Sequence, residues 1–221
     1  MEILYKDKNL VAVLKPIGVA SQSDPSGDKD AMELCSEQLL LLGERSADLY
    51  PVHRLDKVVG GILVFARSKR YAAMLSELFS TRSAEKEYLA VVEGEAEGGA
   101  LEDLLFKDSR SAKAFVVDRK RAGVKEARLT YEPLSKACVG ERTVTLVRVK
   151  LDTGRFHQIR AQFSSRKMPI LGDGKYGSRD NQSKSPALFA SGLKFELDGK
   201  VYEFSKMPDR EIYPWSLFKY D

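Results

Sequence analysis

Residues 51–66 read Pro-Val-His-Arg-Leu-Asp-Lys-Val-Val-Gly-Gly-Ile-Leu-Val-Phe-Ala. A cluster of ionisable side chains leads through Gly60 and Gly61 into an apolar run, and that run predicts a buried strand. Because glycine permits close backbone approach or positive φ, the stretch could hold the Asp56 carboxylate at the lip of a cleft. The alternative is that Asp56 caps a turn and pairs with Arg54 at the surface.

Further strands and a few helices are predicted on both sides of this stretch. Helices should follow Asp30, which forms a capping box with Glu33, and Ser68, which can cap the next one. Asp198-Gly199 between two alternating runs predicts a β-hairpin. The remaining predicted strands cover residues 9–14, 87–93, 114–117, 127–133 and 143–151. We therefore expect an α+β fold with a mixed, mainly antiparallel central sheet flanked by helices and loops.

A second unusual segment, residues 151–163, reads Leu-Asp-Thr-Gly-Arg-Phe-His-Gln-Ile-Arg-Ala-Gln-Phe. At helical spacing Phe156, Ile159 and Phe163 form an apolar stripe, and Arg160 falls on the same face. An unpaired buried charge is costly, so the pattern requires a carboxylate that faces Arg160. The alternative is that the guanidinium reaches solvent past the aromatic rings.

Two further features have ordinary structural explanations beside functional ones. Tyr88 begins a strand on the same side as Ala90 and Val92, as a core tyrosine would. The segment Pro169–Gly177 contains a proline and several glycines, which favour a tight surface loop. It lacks the Lys-Ser/Thr ending of a phosphate-binding loop, so we expect no nucleoside triphosphate site there.

Length and composition fit a single folded domain. The 221 residues are 43% hydrophobic and 31% charged, enough apolar side chain for a sizeable core. We expect one domain over residues 1–221, with room for lobes inside it. The net charge of +4 permits a polyanionic partner without requiring one.

Cysteine and histidine are scarce. Cys35 and Cys138 lie far apart in sequence, and His53 and His157 complete the set of soft ligands, so neither a disulfide framework nor a zinc centre is expected. No cofactor or metal is predicted. The first residues lack a signal-peptide pattern and no apolar run has membrane-spanning length, so we expect a cytoplasmic protein with no membrane partner.

Five segments, in this order, resemble the RluA family of RNA pseudouridine synthases. The resemblance implies that Asp56 is the catalytic aspartate, that Arg160 is the basic residue pairing with it, and that Tyr88 packs against the target uracil. It also suggests that Arg54 holds the flipped nucleotide's place or its phosphate, and that Leu188 lines the uracil pocket. The segments are Leu14–Gly18, His53–Asp56, Lys86–Ala90, Thr153–Arg160 and Pro169–Asp173.

The implied reaction is isomerisation of specific uridines in structured RNA, either ribosomal or transfer RNA, to pseudouridine. The base must be flipped into a pocket, at an unstacking cost of a few kcal/mol. Asp56 would act either by attack at the ribose C1′ or by removing a proton from C2′, and Arg160 would hold it as a carboxylate. We expect no N-terminal S4-type RNA-binding domain and no obligate protein partner.

Three positions depart from the family pattern. Val59-Gly60 stands where Thr-Ser is usual, Phe189 replaces a histidine of the late Leu-His-Ala box, and Gln162 stands where a second histidine often follows the arginine. The first departure leaves open a catalytically silent RNA-binding or chaperone protein. A glycoside hydrolase would need a second acid, and Asp173 is better explained as a loop residue.

Overall fold

The computed structural model describes residues 1–23 and 27–219. These residues form two compact units. Unit 1 comprises the described residues of Met1–Glu85 together with Ala190–Lys206, and unit 2 comprises Lys86–Phe189 and the described residues from Met207 onward.

The described residues contain eleven strands and three α-helices. The helices are α1 (Ala31–Leu41), α2 (Lys69–Ser80) and α3 (Gln158–Ser165). The strands are β1 (Glu2–Lys6), β2 (Leu10–Lys15), β3 (Tyr50–Pro51), β4 (Gly60–Ala66), β5 (Glu85–Glu93), β6 (Gly99–Asp108), β7 (Lys113–Val117), β8 (Val124–Val139), β9 (Arg142–Leu151), β10 (Leu188–Leu197) and β11 (Lys200–Ser205). Short 3₁₀ turns cover Gly174–Tyr176 and Trp215–Leu217.

Unit 1 is built on strands in the order β1-β2-β4-β10, with β3 also paired to β4 and β11 paired to β10. The pairs β1–β2, β2–β4, β3–β4 and β10–β11 are antiparallel. All seven residues of β4 are buried, as the continuous apolar run predicted. Leu10, Ile62 and Val64 form the core of this unit together with Leu75 of α2 and Phe195 of β10.

The two predicted helix starts in unit 1 are confirmed. The Asp30 carboxylate accepts hydrogen bonds from the backbone N–H groups of Met32 and Glu33 at 2.8 and 2.9 Å, and the Glu33 side chain accepts from the Asp30 N–H at 3.0 Å. Ser68 accepts from the N–H of Tyr71 at 3.3 Å. Each helix therefore begins where its capping residue predicted.

The predicted hairpin near the chain end is also confirmed. Leu197 pairs with Lys200 across a two-residue turn, and both turn residues, Asp198 and Gly199, have positive φ of 52° and 73°. This is the conformation that Asp-Gly favours between antiparallel strands.

Unit 2 contains an antiparallel series of strands in the order β5-β9-β8-β6-β7. The long strand β8 carries a register shift between Pro133 and Ser135. α3 packs against β6 and β7. Leu105, Ala114 and Ala127 of the strands form a buried cluster with Ala161 of α3 and with Tyr176.

The predicted α+β class is confirmed, but three local expectations were incomplete or wrong. β1, β3 and β6 were not predicted. α3 begins at Gln158, so Phe156 and His157 precede the helix instead of lying on it. The segment after Pro169 is not a surface loop, because Ile170, Leu171 and Asp173 are buried. The N–H of Leu171 bonds to the carbonyl of Val91 at 2.8 Å, which fixes the segment along β5.

Across residues 1–23 and 27–219, no helix is both long and apolar enough to cross a membrane.

Candidate active site

Asp56 lies in unit 1, in the loop that joins β3 to β4, and its side chain is partly buried. The loop is fixed on both sides of it. The Ser21 hydroxyl donates to the Leu55 carbonyl at 2.9 Å and accepts from the Leu55 N–H at 3.0 Å. On the other side, the N–H of Val59 donates to the Asp56 carbonyl at 2.9 Å. Asp56 is thus held by its neighbours' backbone bonds, while Arg54 beside it is exposed.

Lys15 places a buried positive charge near Asp56. The side chain is only 1% exposed, and its ammonium donates to the carbonyls of Pro16 at 2.9 Å and Val19 at 2.6 Å. Burial lowers the pKa of Lys15 to about 8, while the negative charge of Asp56 acts in the opposite direction. The end of β2 therefore presents a cation toward the Asp56 loop.

His53 connects the same loop to its surroundings. Its Nε2 accepts a hydrogen bond from the backbone N–H of Val64 at 3.0 Å, and its ring lies against that of Phe79, with the centroids 4.5 Å apart. The imidazole therefore connects the loop to β4 and α2.

Gly61 meets the close approach that the sequence suggested for the two glycines. Its φ is +124°, and a Cβ built there would lie 2.3 Å from the Ala190 carbonyl oxygen and 2.5 Å from the Ala190 nitrogen. Only glycine fits beside that backbone. The start of β4, directly after the Asp56 loop, is therefore packed against β10 without an intervening side chain.

The other predicted site residues, Tyr88, Arg160 and Leu188, lie in unit 2. Tyr88 is on β5, where it pairs with Val149 of β9 and is only partly buried, whereas Ala90 is fully buried. Leu188 is buried at the first position of β10. Tyr88 is thus less buried than a core tyrosine at that position would be.

Arg160 has the carboxylate partner that its burial required. Its Nε donates to Asp173 Oδ2 at 2.7 Å and its Nη2 donates to Asp173 Oδ1 at 2.9 Å. The two side chains are 4% and 1% exposed. The alternative in which the guanidinium reaches solvent is wrong, and so is the description of Asp173 as an ordinary loop residue.

Tyr176 contacts the same guanidinium through its ring. The Arg160 Cζ lies 5.0 Å from the ring centroid. The Tyr176 hydroxyl accepts from the N–H of Ala114 at 2.8 Å and lies 2.9 Å from Nδ1 of His157. Burial first, and then the charge of Arg160, lower the pKa of His157 to about 3. The imidazole is therefore neutral at physiological pH, and its Nδ1 forms a hydrogen bond with the Tyr176 hydroxyl.

Thr153 and Gln158, which precede Arg160, fix the start of α3. Thr153 donates to the side-chain oxygen of Gln158 at 2.8 Å and accepts from the N–H of Arg128 at 2.8 Å. The Gln158 amide donates to the Arg128 carbonyl at 3.0 Å. These bonds fix the helix start to β8 and thereby the depth at which Arg160 is held.

Gln162, at the position of a frequent family histidine, is fully buried and bonds to β6. Its amide donates to the carboxylate of Asp103 at 2.7 Å and to the carbonyl of Leu101 at 3.2 Å. Arg166, just after α3, donates to both oxygens of Asp103 at 2.9 and 3.2 Å. The substitution therefore forms a contact between α3 and the sheet.

No group of three or more His, Cys, Asp or Glu side chains in residues 1–23 and 27–219 could hold a metal ion. Cys35 and Cys138 are free thiols.

Sequence reasoning missed three residues near the candidate site. Sequence reasoning assigned Lys15 no role beyond its place in the Leu14–Gly18 segment, although a lysine at the end of an apolar strand is a signal of a buried charge. Asp173 carried a weaker signal, the unmet need of Arg160 for a carboxylate. Tyr176 carried no signal that would distinguish it from an ordinary loop aromatic.

Comparison with known proteins gave consistent matches. The sequence model described as RNA pseudouridylate synthase matches residues 9–165. Ribosomal large subunit pseudouridine synthase D of Borreliella burgdorferi is 31% identical over 92% of this chain, which spans 63% of that protein. tRNA pseudouridine synthase C of Vibrio parahaemolyticus is 32% identical over 88% of this chain and 84% of its own length.

Solved structures give the same match. Human RNA pseudouridylate synthase domain containing 4 is similar with a TM-score of 0.77 and 25% identity, covering 95% of this chain and 89% of that one. Human RNA pseudouridylate synthase domain containing 1 has a TM-score of 0.81 at 22% identity, covers 97% of this chain and 85% of its own, and supports the fold.

Proposed function

The chain belongs to the RluA family of RNA pseudouridine synthases, and from that premise we propose that it isomerises specific uridines in structured ribosomal or transfer RNA to pseudouridine. By family it is an isomerase. The curated relatives include synthases named for each of these two RNA classes, which supports RNA as the substrate without choosing between them. We propose a cytoplasmic location and no obligate protein partner.

The reaction exchanges one glycosidic bond for another. The bond between ribose C1′ and uracil N1 breaks, the uracil turns, and a bond forms between C1′ and C5. The C5 proton leaves and N1 gains a proton, so the overall change is an isomerisation with no oxidation or group transfer. Asp56 is the proposed catalytic carboxylate, acting either at C1′ or on the C2′ proton.

The single observation that carries this role is the way the Asp56 loop is built. The loop is fixed by the Ser21–Leu55 hydrogen bonds, and the Lys15 ammonium contributes a positive charge that attracts the Asp56 carboxylate. A carboxylate that must act on a bound nucleotide needs a fixed position. The residues that fix the Asp56 loop belong to unit 1.

The other proposed roles follow the family resemblance residue by residue. Arg160 is the basic residue that supports the catalytic carboxylate, and Tyr88 packs against the uracil ring. Leu188 contributes apolar surface to the uracil pocket. Arg54 is exposed beside Asp56, as suits a side chain that takes the place of a flipped nucleotide or contacts its phosphate.

The test is pseudouridine mapping of total RNA from strains with and without the gene. We expect one or more pseudouridines to disappear in the deletion strain and to return with the wild-type gene. Asp56→Asn should fail to restore them, because the amide keeps the shape of the side chain but cannot act as a carboxylate. Asp48→Asn, at an exposed aspartate of the same unit, is the matched control and should restore them.

Two outcomes would contradict the proposal. An unchanged map in the deletion strain would remove the proposed activity. Restoration of every site by Asp56→Asn would remove the proposed role of Asp56, and rescue of a deletion phenotype by that variant would favour the silent RNA-binding alternative. Purified protein gives an independent readout, because RNA tritiated at uracil C5 should release tritium to water as the C5 proton leaves.

A further inference from the structure

We propose that Asp173 is a positioning residue for Arg160, holding its guanidinium in the one orientation that catalysis uses. The inference rests on the proposed function, in which Arg160 supports the catalytic carboxylate. It concerns a residue that the sequence placed in an ordinary loop and that the structure places beside the most buried arginine of the candidate site.

The contact between the two side chains is side-on and bidentate. Asp173 accepts from Nε at 2.7 Å and from Nη2 at 2.9 Å. Two parallel charge-assisted bonds fix both the position and the plane of a guanidinium, which a single bond does not. Because Nε is one of the two donors, the edge that carries Nη1 is directed away from Asp173.

One short turn supplies both contacts with the guanidinium. Asp173 immediately precedes the 3₁₀ turn Gly174–Tyr176, and the ring of Tyr176 lies over Arg160 at 5.0 Å. The carboxylate therefore restrains the guanidinium at its edge while the ring contacts it from a second direction. A guanidinium held in both ways has little rotational freedom left.

The turn itself is tied to its surroundings. The Asp173 N–H donates to the Ile170 carbonyl at 2.9 Å, and the Ser164 hydroxyl of α3 donates to the Tyr176 carbonyl at 2.7 Å. The hydroxyl of Tyr176 accepts from the Ala114 N–H of β7 at 2.8 Å. Asp173 thus acts from a rigid support that is bonded to the same helix that carries Arg160.

Stability alone is a poor reason for this pair. Taking two charges out of water costs several kcal/mol per ion, and well-packed apolar side chains are often at least as stabilising as a buried pair. What an ion pair provides and an apolar pair does not is a fixed orientation of a charged group. That is what a guanidinium in a catalytic role requires.

The experiment measures kcat and KM for a uridine-containing target RNA with wild-type protein, Asp173→Asn and Asp173→Glu. Asn presents an N–H group where a carboxylate oxygen accepted, so we expect kcat to fall by about 10²-fold while KM stays within about twofold. Glutamate keeps the negative charge but places it one methylene further from the backbone, so kcat should fall by about 10-fold. Melting temperatures are measured for each variant.

The matched control is Asp103→Asn. Asp103 also binds an arginine through both oxygens, Arg166 at the end of the same helix, at 2.9 and 3.2 Å. It is 12% exposed and also accepts a hydrogen bond from the Gln162 amide at 2.7 Å. Its loss should lower the melting temperature while leaving kcat within about twofold of wild type.

A double-mutant cycle separates positioning from a merely structural role. In an Arg160→Lys background, Asp173→Asn should change the single-turnover rate by less than about threefold, because the group it positions is already gone. A loss of equal size in both backgrounds, an unchanged kcat in Asp173→Asn, or full kcat in a folded Asp173→Glu would each overturn the inference.

The same measurements distinguish this inference from the proposed function. If wild-type protein forms pseudouridine, Asp56→Asn does not, and the Asp173 variants keep full kcat, only the role of Asp173 fails. If the wild-type protein forms no pseudouridine on RNA isolated from the deletion strain, the proposed function and the role of Asp173 fail together.

Discussion

Replacing Gly61 by alanine should strongly destabilise unit 1. The new Cβ would lie 2.3, 2.5 and 2.8 Å from the oxygen, nitrogen and carbonyl carbon of Ala190, all backbone atoms, at a φ of +124°. Strained backbone of this kind costs about 1–3 kcal/mol, and forcing apart packed structure costs about 1–3 kcal/mol more. We expect the free energy of unfolding to fall by about 2–6 kcal/mol.

The assay is urea denaturation and thermal melting, with Gly43→Ala as the matched control. Gly43 also has a positive φ, +84°, but its added Cβ would meet no atom within 4 Å. The control therefore carries only the strain, about 1–2 kcal/mol. At about 2–4 °C per kcal/mol for a chain of this size, Gly61→Ala should melt several degrees below Gly43→Ala. Equal melting temperatures would refute the close approach of β4 to the Ala190 backbone.

Two further changes probe the buried groups of the candidate site. Since the pKa of folded Lys15 is about 8, against an ordinary 10.5, the unfolded chain binds more protons between these values. Stability should therefore rise as pH increases from 8 to 10.5, by at most about 3 kcal/mol. Urea denaturation of Lys15→Met should show no such rise in the free energy of unfolding. If the stability of both proteins changed equally with pH, the buried lysine would not be the cause of the rise. Tyr176→Phe removes the hydroxyl that joins Ala114 to His157 and should cost about 1–3 kcal/mol, so an unchanged denaturation midpoint would argue against this bond.

Features governed by neighbouring residues could be predicted from the sequence. The capping box at Asp30, the apolar run of β4 and the Asp198-Gly199 turn each depend on contacts within a few positions. β6 could not be predicted because apolar side chains occur on both of its faces: Leu101 and Leu105 are buried in the core, while Leu104 and Phe106 lie on the opposite face.

The candidate site likewise contains one feature that the sequence could predict and one that depends on the tertiary structure. Burial of Arg160 predicted that a carboxylate must face it, since that is a property of the charge and not of the fold. Which carboxylate it is depends on a segment thirteen residues further on being buried along β5. The glycines around Asp173 suggested an exposed turn, whereas the burial of Ile170 and Leu171 and the tertiary hydrogen bond from Leu171 to Val91 show otherwise.

The pairing of Arg160 with Asp173 is compatible with the role that the family resemblance gives Arg160. A guanidinium has five N–H donors, and the side-on contact with Asp173 uses one on Nε and one on Nη2. The three other N–H groups include both on Nη1, which lies on the far edge of the guanidinium. Asp173 therefore occupies only two of the five donors. Within unit 1, the Lys15 ammonium is held by the carbonyl groups of Pro16 and Val19 and contributes a positive charge near Asp56.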